Sequence, residues 1–269
     1  MSGSIKAVIQ NRKSVRTFDG RALSAADTEK LTQLIQTADN PFGAAVRFRL
    51  LNAKEHRLTS AVIVGAPCYL AAKVRRVPRY EIAFGYSFEK ACLCAHSLGL
   101  GTVILAGTLN RSAFEQAMDL EDGEILPAAA PVGYPAKRRS VRDNLMRKGL
   151  KSDERLPFER LFFENDFSQP LSNESPFAEA LEMTRLAPSA TNKQPWRAVV
   201  CGNTVHFYEY KTMKDSPLGD VQKVDMGIAL AHFDLTMAEN GCSGQFFETA
   251  PPVEAPENTH YIISYEMAE

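Results

Sequence analysis

The sequence lacks the features of a nucleic-acid-binding or membrane protein. Its 269 residues carry 31 Lys and Arg against 32 Asp and Glu, which gives a formal net charge of -1. No global basic field therefore draws the chain to nucleic acid, and any anion site has to be local. The longest apolar stretches, such as residues 61–64, fall far short of the ~20 residues that a membrane span needs. The amino end has no signal-peptide pattern, so we expect a cytoplasmic protein without a membrane partner.

Cysteine is also scarce, and its spacing excludes the common cysteine-based sites. None of the five cysteines forms a CxxC pair, and an odd number cannot all pair with one another. We interpret them as small core residues in a reducing compartment. Metal ligation needs His or carboxylate neighbours at set spacing, and no such cluster stands out, so no metal is predicted. The five are Cys68, Cys92, Cys94, Cys201 and Cys242.

Hydrophobic spacing predicts a mixture of helices and strands. Ser24 is placed to cap a helix that carries Leu31, Leu34 and Ile35, and a long helix should end at Gly99. A short first helix is expected from residue 5, and a later one is expected to start with Ser175 as its cap and to break at Pro188. Strands are predicted at 46–50, 61–64, 101–105, 128–133 and 198–200. The charged segment 137–155 is interpreted as a surface linker, after which a second unit begins.

The second part of the chain repeats a pattern of the first. Residues 225–241 match residues 83–99 with a constant offset of 142, which pairs Gly227 with Gly85. Both stretches are entered through a glycine, rich in alanine and closed by a glycine. Helices with such small side chains can pack closely, as in a dimer seam. We therefore interpret the chain as a dimer fused into one polypeptide.

Two segments have a composition typical of ligand binding. Residues 11–16, Asn-Arg-Lys-Ser-Val-Arg, offer three cations and a hydroxyl at a helix end, which are suitable donors for a phosphate. Taken alone, such a hexapeptide is more often a solvated surface. Residues 185–196 hold two prolines, four short polar side chains and the one tryptophan between a helix and a strand. They form either a rigid binding loop or only a well-ordered turn anchored by Trp196.

Together, the two segments resemble the FMN-dependent nitroreductase family, through Arg-x-Ser-x-Arg and Ala-Pro-Ser-Ala-x-Asn-x-Gln-Pro-Trp. Ordinary members are homodimers with two FMN sites, each of which takes the basic motif from one subunit and the Pro-Ser loop from the other. The resemblance implies an α+β, nitroreductase-like fold. Two related α/β halves, 1–150 and 151–269, would form an intramolecular pseudo-dimer, and the chain could then be monomeric.

The distribution of the motifs implies one FMN site. The first half carries residues 37–42, Thr-Ala-Asp-Asn-Pro-Phe, in place of the Pro-Ser loop. The second half carries residues 164–168, Glu-Asn-Asp-Phe-Ser, in place of the basic motif. The two carboxylates of that segment would repel a phosphate. Only the pairing of the first half's motif with the second half's loop is therefore competent.

The resemblance also implies roles for individual residues. Arg12, Ser14 and the downstream Arg155 would hold the FMN phosphate, with Lys13 beside them near the ribityl chain or ring edge. Arg16 would approach N1 and O2 of the isoalloxazine and stabilise the negative charge of reduced flavin. The remaining positions would surround the ring: Pro188, Ser189 and Ala190 packed on it, Asn192 fixing their loop, and Ala106 and Gly107 presenting a backbone N–H to N5. Many relatives have an acidic residue at the position of Ala106, so a side-chain role is lost there.

The predicted activity is an FMN-dependent oxidoreductase reaction. Hydride would pass from NADH or NADPH through flavin N5 to a small acceptor, such as a nitro compound or a quinone, by a ping-pong mechanism, with Arg16 and Gly107 closest to the chemistry. No side-chain acid or base is required or evident. Three alternatives stay open at this point: FMN binding without turnover as a store or sensor, a different flavin reaction, and an interaction scaffold with an empty cleft. The choice between NADH and NADPH also stays open.

Overall fold

A computed structural model describes residues 3–138 and 140–268 of the chain. Within these residues it contains seven α-helices and ten strands. The helices are α1 Ile5–Asn11, α2 Ala25–Gln36, α3 Tyr80–Ser97, α4 Arg111–Ala117, α5 Val141–Gly149, α6 Ala178–Arg185 and α7 Val221–Glu239. The strands are β1 Val46–Asn52, β2 Cys68–Arg75, β3 Gly101–Thr102, β4 Glu124–Ile125, β5 Ala129–Gly133, β6 Phe162–Glu164, β7 Trp196–Cys201, β8 Thr204–Tyr210, β9 Gly244–Phe247 and β10 Thr259–Met267.

Two sheets repeat the same antiparallel order. In the first, the strands run β1-β2-β5-β3, and β4 also pairs with β2. In the second they run β7-β8-β10-β9, and β6 is added to β7 as the one parallel neighbour. This arrangement confirms the predicted α+β class. The repeated order supports the interpretation of two related halves, while the boundary at residue 150 stays a prediction.

The two long helices, α3 and α7, cross where each carries its glycine. A Cβ atom on Gly85 would lie 2.0 Å from the carbonyl oxygen of Val224, and one on Gly227 would lie 2.1 Å from that of Ile82. The offset of 142 interchanges these two contacts, so the sequence repeat corresponds to a two-fold relation at the crossing. Only glycine permits the backbones to approach this closely. The close packing predicted for these helices is confirmed.

The apolar core runs through this crossing and beneath both sheets. Phe84 and Phe88 of α3 stack with ring centroids 5.1 Å apart, and Phe233 of α7 meets Phe207 of β8 at 5.0 Å. All four side chains are fully buried and belong to one continuous cluster that includes residues of both halves. The halves are therefore joined by a shared hydrophobic interior, which positions the cavity described below.

Several local predictions are confirmed. The amide of Asp27 donates to Ser24 Oγ at 3.0 Å, which caps α2 as expected. The helix predicted to end at Gly99 does so, with Gly99 in the left-handed conformation at φ 77°. Its counterpart Gly241 closes α7 with the same φ. These signals are local in sequence, because caps depend on the residues next to them.

Two predicted strands differ from the structure. Residues 61–64 form a turn rather than a buried strand, and Val64 is 45% exposed. The sheet instead contains β2, where Lys73 is buried because its Nζ meets Glu124 Oε2 at 2.7 Å. The strand predicted at 101–105 is confined to Gly101–Thr102, and the next residues leave the sheet to line a cavity.

Two predictions about the connecting segments were also wrong. The supposed linker contains α5, whose Asp143 and Arg147 are buried; Arg139 of that segment lies outside the described residues. Helix α6 begins at Ala178, and Ser175 closes a preceding turn by accepting the amide of Phe177 at 3.3 Å. The first error missed a helix, and the second placed a helix start about two residues too early.

No helix in residues 3–138 and 140–268 is both long and apolar enough to cross a membrane. The same residues contain no group of three or more His, Cys, Asp or Glu side chains able to hold a metal ion.

The helix crossing gives a stability prediction. Gly85→Ala places a methyl group against the Val224 carbonyl and should lower the free energy of unfolding by about 3 kcal/mol, as expected for overpacking. Urea unfolding of the purified variant measures this. Gly149→Ala is the matched control, because a Cβ there meets nothing within 4 Å. Equal stabilities for the two variants would contradict the close crossing.

Candidate functional site

A cavity of about 900 Å³ lies between the first and second halves. Its lining includes α1 and the basic motif from the first half and the Pro-Ser loop and α7 from the second. All eleven residues singled out from the sequence lie on its wall: Arg12, Lys13, Ser14, Arg16, Ala106, Gly107, Arg155, Pro188, Ser189, Ala190 and Asn192. The tertiary structure thus brings together positions that are up to 180 residues apart in the chain (Arg12 against Asn192).

The basic motif is held along β3 at one end of the cavity. The amide of Val15 donates to the carbonyl of Thr102 at 2.9 Å, and Gly101 leaves room for the Val15 side chain. The Arg12 side chain is only 6% exposed, and its Nε lies 3.5 Å from Glu89 Oε1. That distance and geometry leave Arg12 Nε without a hydrogen bond in the described structure. The protein therefore leaves part of the hydrogen-bonding capacity of the Arg12 side chain unused.

Arg155 is the second cation of the cavity wall and is half-buried. Its Nη1 donates to the carbonyls of Ser152 and Glu154, at 3.1 and 2.8 Å, and its Nη2 donates to the carbonyl of Leu186 at 3.2 Å. Burial lowers the pKa of Arg155 to about 10, and the positive charge of Arg12 acts in the same direction. Two guanidinium groups that repel each other in a desolvated place favour the binding of an anion between them.

Arg16 lies farther along the cavity and is 6% exposed. Its Nη1 is 3.4 Å from Asp143 Oδ1. Burial lowers the pKa of Arg16, and the charge of Arg147 adds to the effect while Asp143 opposes it. Arg147 itself donates from Nη1 to the carbonyl of Ser14 at 3.3 Å and pairs with Asp153.

Sequence reasoning missed the contribution of α5, which supplies Asp143 and Arg147. A usable signal was present: the amide of Asp143 donates to Ser140 Oγ at 3.1 Å, the Ser-x-x-Asp pattern of a helix start. The outward-facing Val141 and Leu145 are 77% and 67% exposed, which obscured the usual amphipathic pattern.

The Pro-Ser loop is a rigid turn built from unusual backbone conformations. Thr191, Asn192 and Gln194 have φ of 49°, 57° and 51°. Ser189 Oγ accepts the amide of Gln194 at 2.9 Å, and Asn192 Nδ2 donates to the carbonyl of Lys151 at 2.8 Å. Positive φ at three non-glycine residues persists only where the surroundings determine it, as at binding sites. Asn192 thus links the loop to the segment that precedes Arg155.

A carboxyl group beneath this loop was also missed. Both oxygens of Asp225 on α7 lie 3.0 Å from the amide of Ala190, which donates to them. Asp225 is 3% exposed and lines the cavity. Burial raises its pKa well above the ordinary value, and the N–H of Ala190 opposes that effect. The residue at the same position of the first half is Ala83, a difference that the sequence repeat could have revealed.

The Ala106–Gly107 turn faces the opposite part of the wall. Arg111 donates from Nη2 to the carbonyl of Ala106 and from Nη1 to that of Leu126, both at 2.6 Å. A Cβ on Gly107 would meet nothing within 4 Å, so the turn borders open space. Among the described residues, no acceptor is hydrogen-bonded to the amides of Ala106 and Gly107. Both N–H groups are therefore available to a ligand.

A further titratable group lies behind the loop that precedes α7. Glu209 of β8 is 1% exposed, and its Oε1 has no hydrogen-bond partner in the described structure. Burial raises the pKa of Glu209 to about 7, and the carboxylate of Asp220 adds to the effect. Asp220 lines the cavity and accepts from Lys211 Nζ at 2.6 Å. The part of the lining that includes Asp220 and Asp225 thus carries carboxyls as well as the cation Lys214, whereas the part near Arg12 carries several arginines.

Comparison with known proteins now has a geometric basis. Residues 4–237 match the model of a protein family described as "Putative TM nitroreductase". This chain belongs to that nitroreductase family. The matched residues include both motifs, strands β1 to β8 and the two central helices, α7 as far as residue 237. No match was found among curated proteins.

One solved nitroreductase structure shares the fold, and two others match about half of the chain. One, described as "a putative nitroreductase" from Thermotoga maritima MSB8, is 20% identical with a TM-score of 0.65, covering 99% of this chain and 94% of that one. A nitroreductase family protein of Clostridium novyi NT is 17% identical, with a TM-score of 0.43, over 50% of this chain and 87% of its own. An FMN-dependent nitroreductase of Clostridium difficile R20291 is 12% identical, with a TM-score of 0.41, over 52% and 94%. The first of these establishes a shared nitroreductase fold over the whole length.

The environment of Glu209 gives a pH prediction. A carboxyl whose pKa is raised on folding contributes stability at low pH, and this is lost as pH rises from about 4.5 through about 7. Glu209→Gln removes the ionisation. The free energy of unfolding of the variant, relative to that of the parent, should therefore be larger at pH 8 than at pH 4 by up to about 3 kcal/mol. Urea unfolding at both pH values measures the difference. Exposed Glu254→Gln is the control, and a pH-independent difference for Glu209→Gln would contradict the prediction.

Proposed function

We propose that this chain binds one FMN in the cavity between its halves and uses it as an oxidoreductase. The observation that carries the proposal is a set of three arginines on the cavity wall whose Nε atoms are buried and have no hydrogen-bond partner in the described structure: Arg12, Arg16 and Arg155. Buried donors without partners cost free energy unless a ligand satisfies them. A ligand with a phosphate and an electron-rich ring edge would do so, and a 900 Å³ cavity is within the range of cofactor sites.

The phosphate would lie at the basic end of the cavity. Arg12 and Arg155 supply two guanidinium groups there, and Ser14 adds a hydroxyl. Lys13 is exposed at the edge of the same end, where it would lie beside the ribityl chain or ring edge. Doubly charged phosphate relieves the repulsion between the two arginines, which explains why neither is fully paired within the protein.

The ring would lie between the Pro-Ser loop and the Ala106–Gly107 turn. Pro188, Ser189 and Ala190 present a rigid surface for its face, because the loop is fixed through Asn192. The amides of the turn face the position expected for N5. Arg16 would hold its charge near N1 and O2, where it stabilises a negative charge developed on reduction.

When bound, FMN supplies hydride transfer between a reduced nicotinamide and an electron acceptor. The protein's contribution is to fix the ring, to leave one face open and to place positive charge at its pyrimidine edge. NADH or NADPH and a small acceptor, such as a nitro compound or a quinone, would use this open face in turn, as in a ping-pong scheme. Family membership supports an activity of this class.

The structure also supports one site rather than two. The second half's segment in place of the basic motif is β6 with its following turn, where Glu164 and Asp166 lie outside the cavity. The first half's segment at 37–42 is likewise absent from the cavity wall. A second site built from these two segments would present the carboxylates of Glu164 and Asp166 to the phosphate, which they would repel.

Flavin binding gives the first test. After incubation with excess FMN and desalting, the purified chain should retain one FMN per chain, measured by its visible absorption. Arg12→Ala should raise the dissociation constant about 10- to 100-fold, the effect of losing a charge-assisted hydrogen bond of about 1.5–3 kcal/mol. Fluorescence titration with FMN measures the constant.

Lys193→Ala is the matched control for this test. Lys193 is a cation of the Pro-Ser loop, yet it is exposed and does not line the cavity, so its loss should leave FMN affinity unchanged. Two FMN per chain would overturn the single-site proposal. Equal effects of the two variants would show that the basic end does not hold the phosphate.

Turnover is tested separately from binding. The FMN-loaded chain should oxidise NADH or NADPH in the presence of a quinone or nitroarene faster than an equal concentration of free FMN, because the protein positions both reactants. Steady-state absorbance at the nicotinamide band follows the reaction under argon. A rate equal to that of free FMN, with FMN still bound, would instead indicate a flavin store or sensor. Failure to bind FMN would indicate a scaffold.

A further inference from the structure

The two central helices differ at one position that faces the cavity. The offset of 142, which superposes the two glycine contacts, pairs Asp225 of α7 with Ala83 of α3. Ala83 is fully buried in the core, whereas Asp225 lines the cavity. The carboxyl group therefore occurs only in the half that carries the intact Pro-Ser loop. Packing of the two helices does not require a carboxyl, since alanine fills the equivalent place; the group instead serves the Pro-Ser loop, whose Ala190 amide it accepts, and the cavity that it lines.

The surroundings of Asp225 do not compensate a negative charge. In the described part of the chain, its one hydrogen-bond donor is the amide of Ala190, and no cation lies within 4.0 Å of its oxygens. The charged groups nearest in its electrostatic environment are the carboxyls of Asp220 and Glu209, and Lys211 is engaged with Asp220 and Asp215. An ionised carboxylate in this place would bear a large desolvation cost, so the neutral acid is favoured.

A neutral carboxylic acid has an O–H and can donate its proton, and reduction of the acceptor consumes a proton. Reduction of a quinone or nitro group by hydride needs a proton at an oxygen atom as well. We propose that Asp225 is held as a carboxylic acid and donates this proton to the acceptor. The proposal rests on the function proposed above. The proposal identifies the acceptors as compounds that take up two electrons and are protonated at an oxygen atom when they are reduced.

The step balances for a quinone. Hydride from reduced FMN brings two electrons and one hydrogen to the quinone, while the Asp225 O–H bond breaks and its proton goes to a quinone oxygen, which gives the hydroquinone. FMN is oxidised and the quinone is reduced. The Asp225 carboxylate left behind recovers a proton from water. The acid-stabilising surroundings, together with the nearby Asp220 and Glu209, make this recovery favourable.

Asp225→Asn is the decisive variant. Asparagine retains an oxygen that accepts the Ala190 amide, and it has an N–H in place of the acid O–H. Because both side chains are then neutral, the FMN affinity of the variant should differ from that of the parent by less than about threefold. In single-turnover stopped-flow experiments, the reduced variant should transfer electrons to a quinone about 100-fold more slowly than the parent, the usual contribution of a positioned acid. Its reaction with ferricyanide, which takes electrons without a proton, should be unchanged.

A matched control is available on the same helix. Asp234 is also a carboxyl with a raised pKa, caused by burial, but it bonds to Tyr86 and does not line the cavity. Asp234→Asn should therefore leave both acceptor reactions at the parent rate. Equal slowing of quinone and ferricyanide by Asp225→Asn would overturn the proposal, because it would indicate a disturbed ring position rather than a missing proton.

One measurement needs no flavin. The infrared spectrum of the apoprotein with isotopically labelled aspartate should show a protonated carboxyl at neutral pH that Asp225→Asn removes and Asp234→Asn retains. A spectrum in which Asp225→Asn removes no such signal would overturn the proposal.

A second measurement needs no variant. In the wild-type protein the quinone rate should fall as pH rises through the titration of Asp225, while the ferricyanide rate stays constant; parallel pH profiles would contradict the proposal. If the chain binds no FMN but Asp225→Asn still removes the infrared signal, the proposed function is refuted while the protonated state of Asp225 is confirmed.

Discussion

Close contact between α3 and α7 is the constraint on which the rest of the structure depends. At each glycine the partner helix presents a backbone carbonyl where a side chain would otherwise be, Val224 against Gly85 and Ile82 against Gly227. The helices therefore meet backbone to backbone, and the apolar core extends through them into both sheets. Ser4 and Ile5 at the start of α1 are tied to Glu239 at the end of α7, with Ile5 N donating at 2.6 Å. The basic motif that follows α1 is thereby fixed against the second half.

On this symmetric framework the site is asymmetric, and charge explains the asymmetry. Buried carboxylates accompany the buried arginines, Glu89 beside Arg12 and Asp143 beside Arg16, yet each pair is longer than a good hydrogen bond. Arg16 Nη1 donates to Asp143 Oδ1, but in the described structure the Nε atoms of both arginines have no hydrogen-bond partner. The carboxylates therefore lower the cost of burying the cations and still leave capacity for an anionic ligand. The opposite end of the cavity carries carboxyls instead, so the two ends favour different parts of a ligand. At the helix positions related by the offset of 142, Ala83 for Asp225 and Ala231 for Glu89, the side chains are small, apolar and buried.

Much of the site could be predicted from sequence because its motifs are contiguous. The basic hexapeptide and the Pro-Ser loop each bring several functional residues within a dozen positions, and all of them reach the cavity. Residues contributed singly were missed, as with Arg147 on α5 and Asp225 on α7. Their importance depends on partners, Ser14 and Ala190, that lie more than 30 residues away in the chain (Arg147 against Ser14, Asp225 against Ala190). No local pattern encodes such a contact.

The sequence by itself determined the local structure: the cap at Ser24, the left-handed end at Gly99, the periodicity of the long helices and the offset that relates them. These follow from interactions within a turn or two of the chain, where the residue types decide the outcome. Only the tertiary structure decided which apolar segment became a strand. Residues 61–64 are apolar but find no place in the sheet, whereas β2 accommodates Lys73 because Glu124 pairs with it. Burial and charge compensation are properties of the assembled fold, so distant residues decided them.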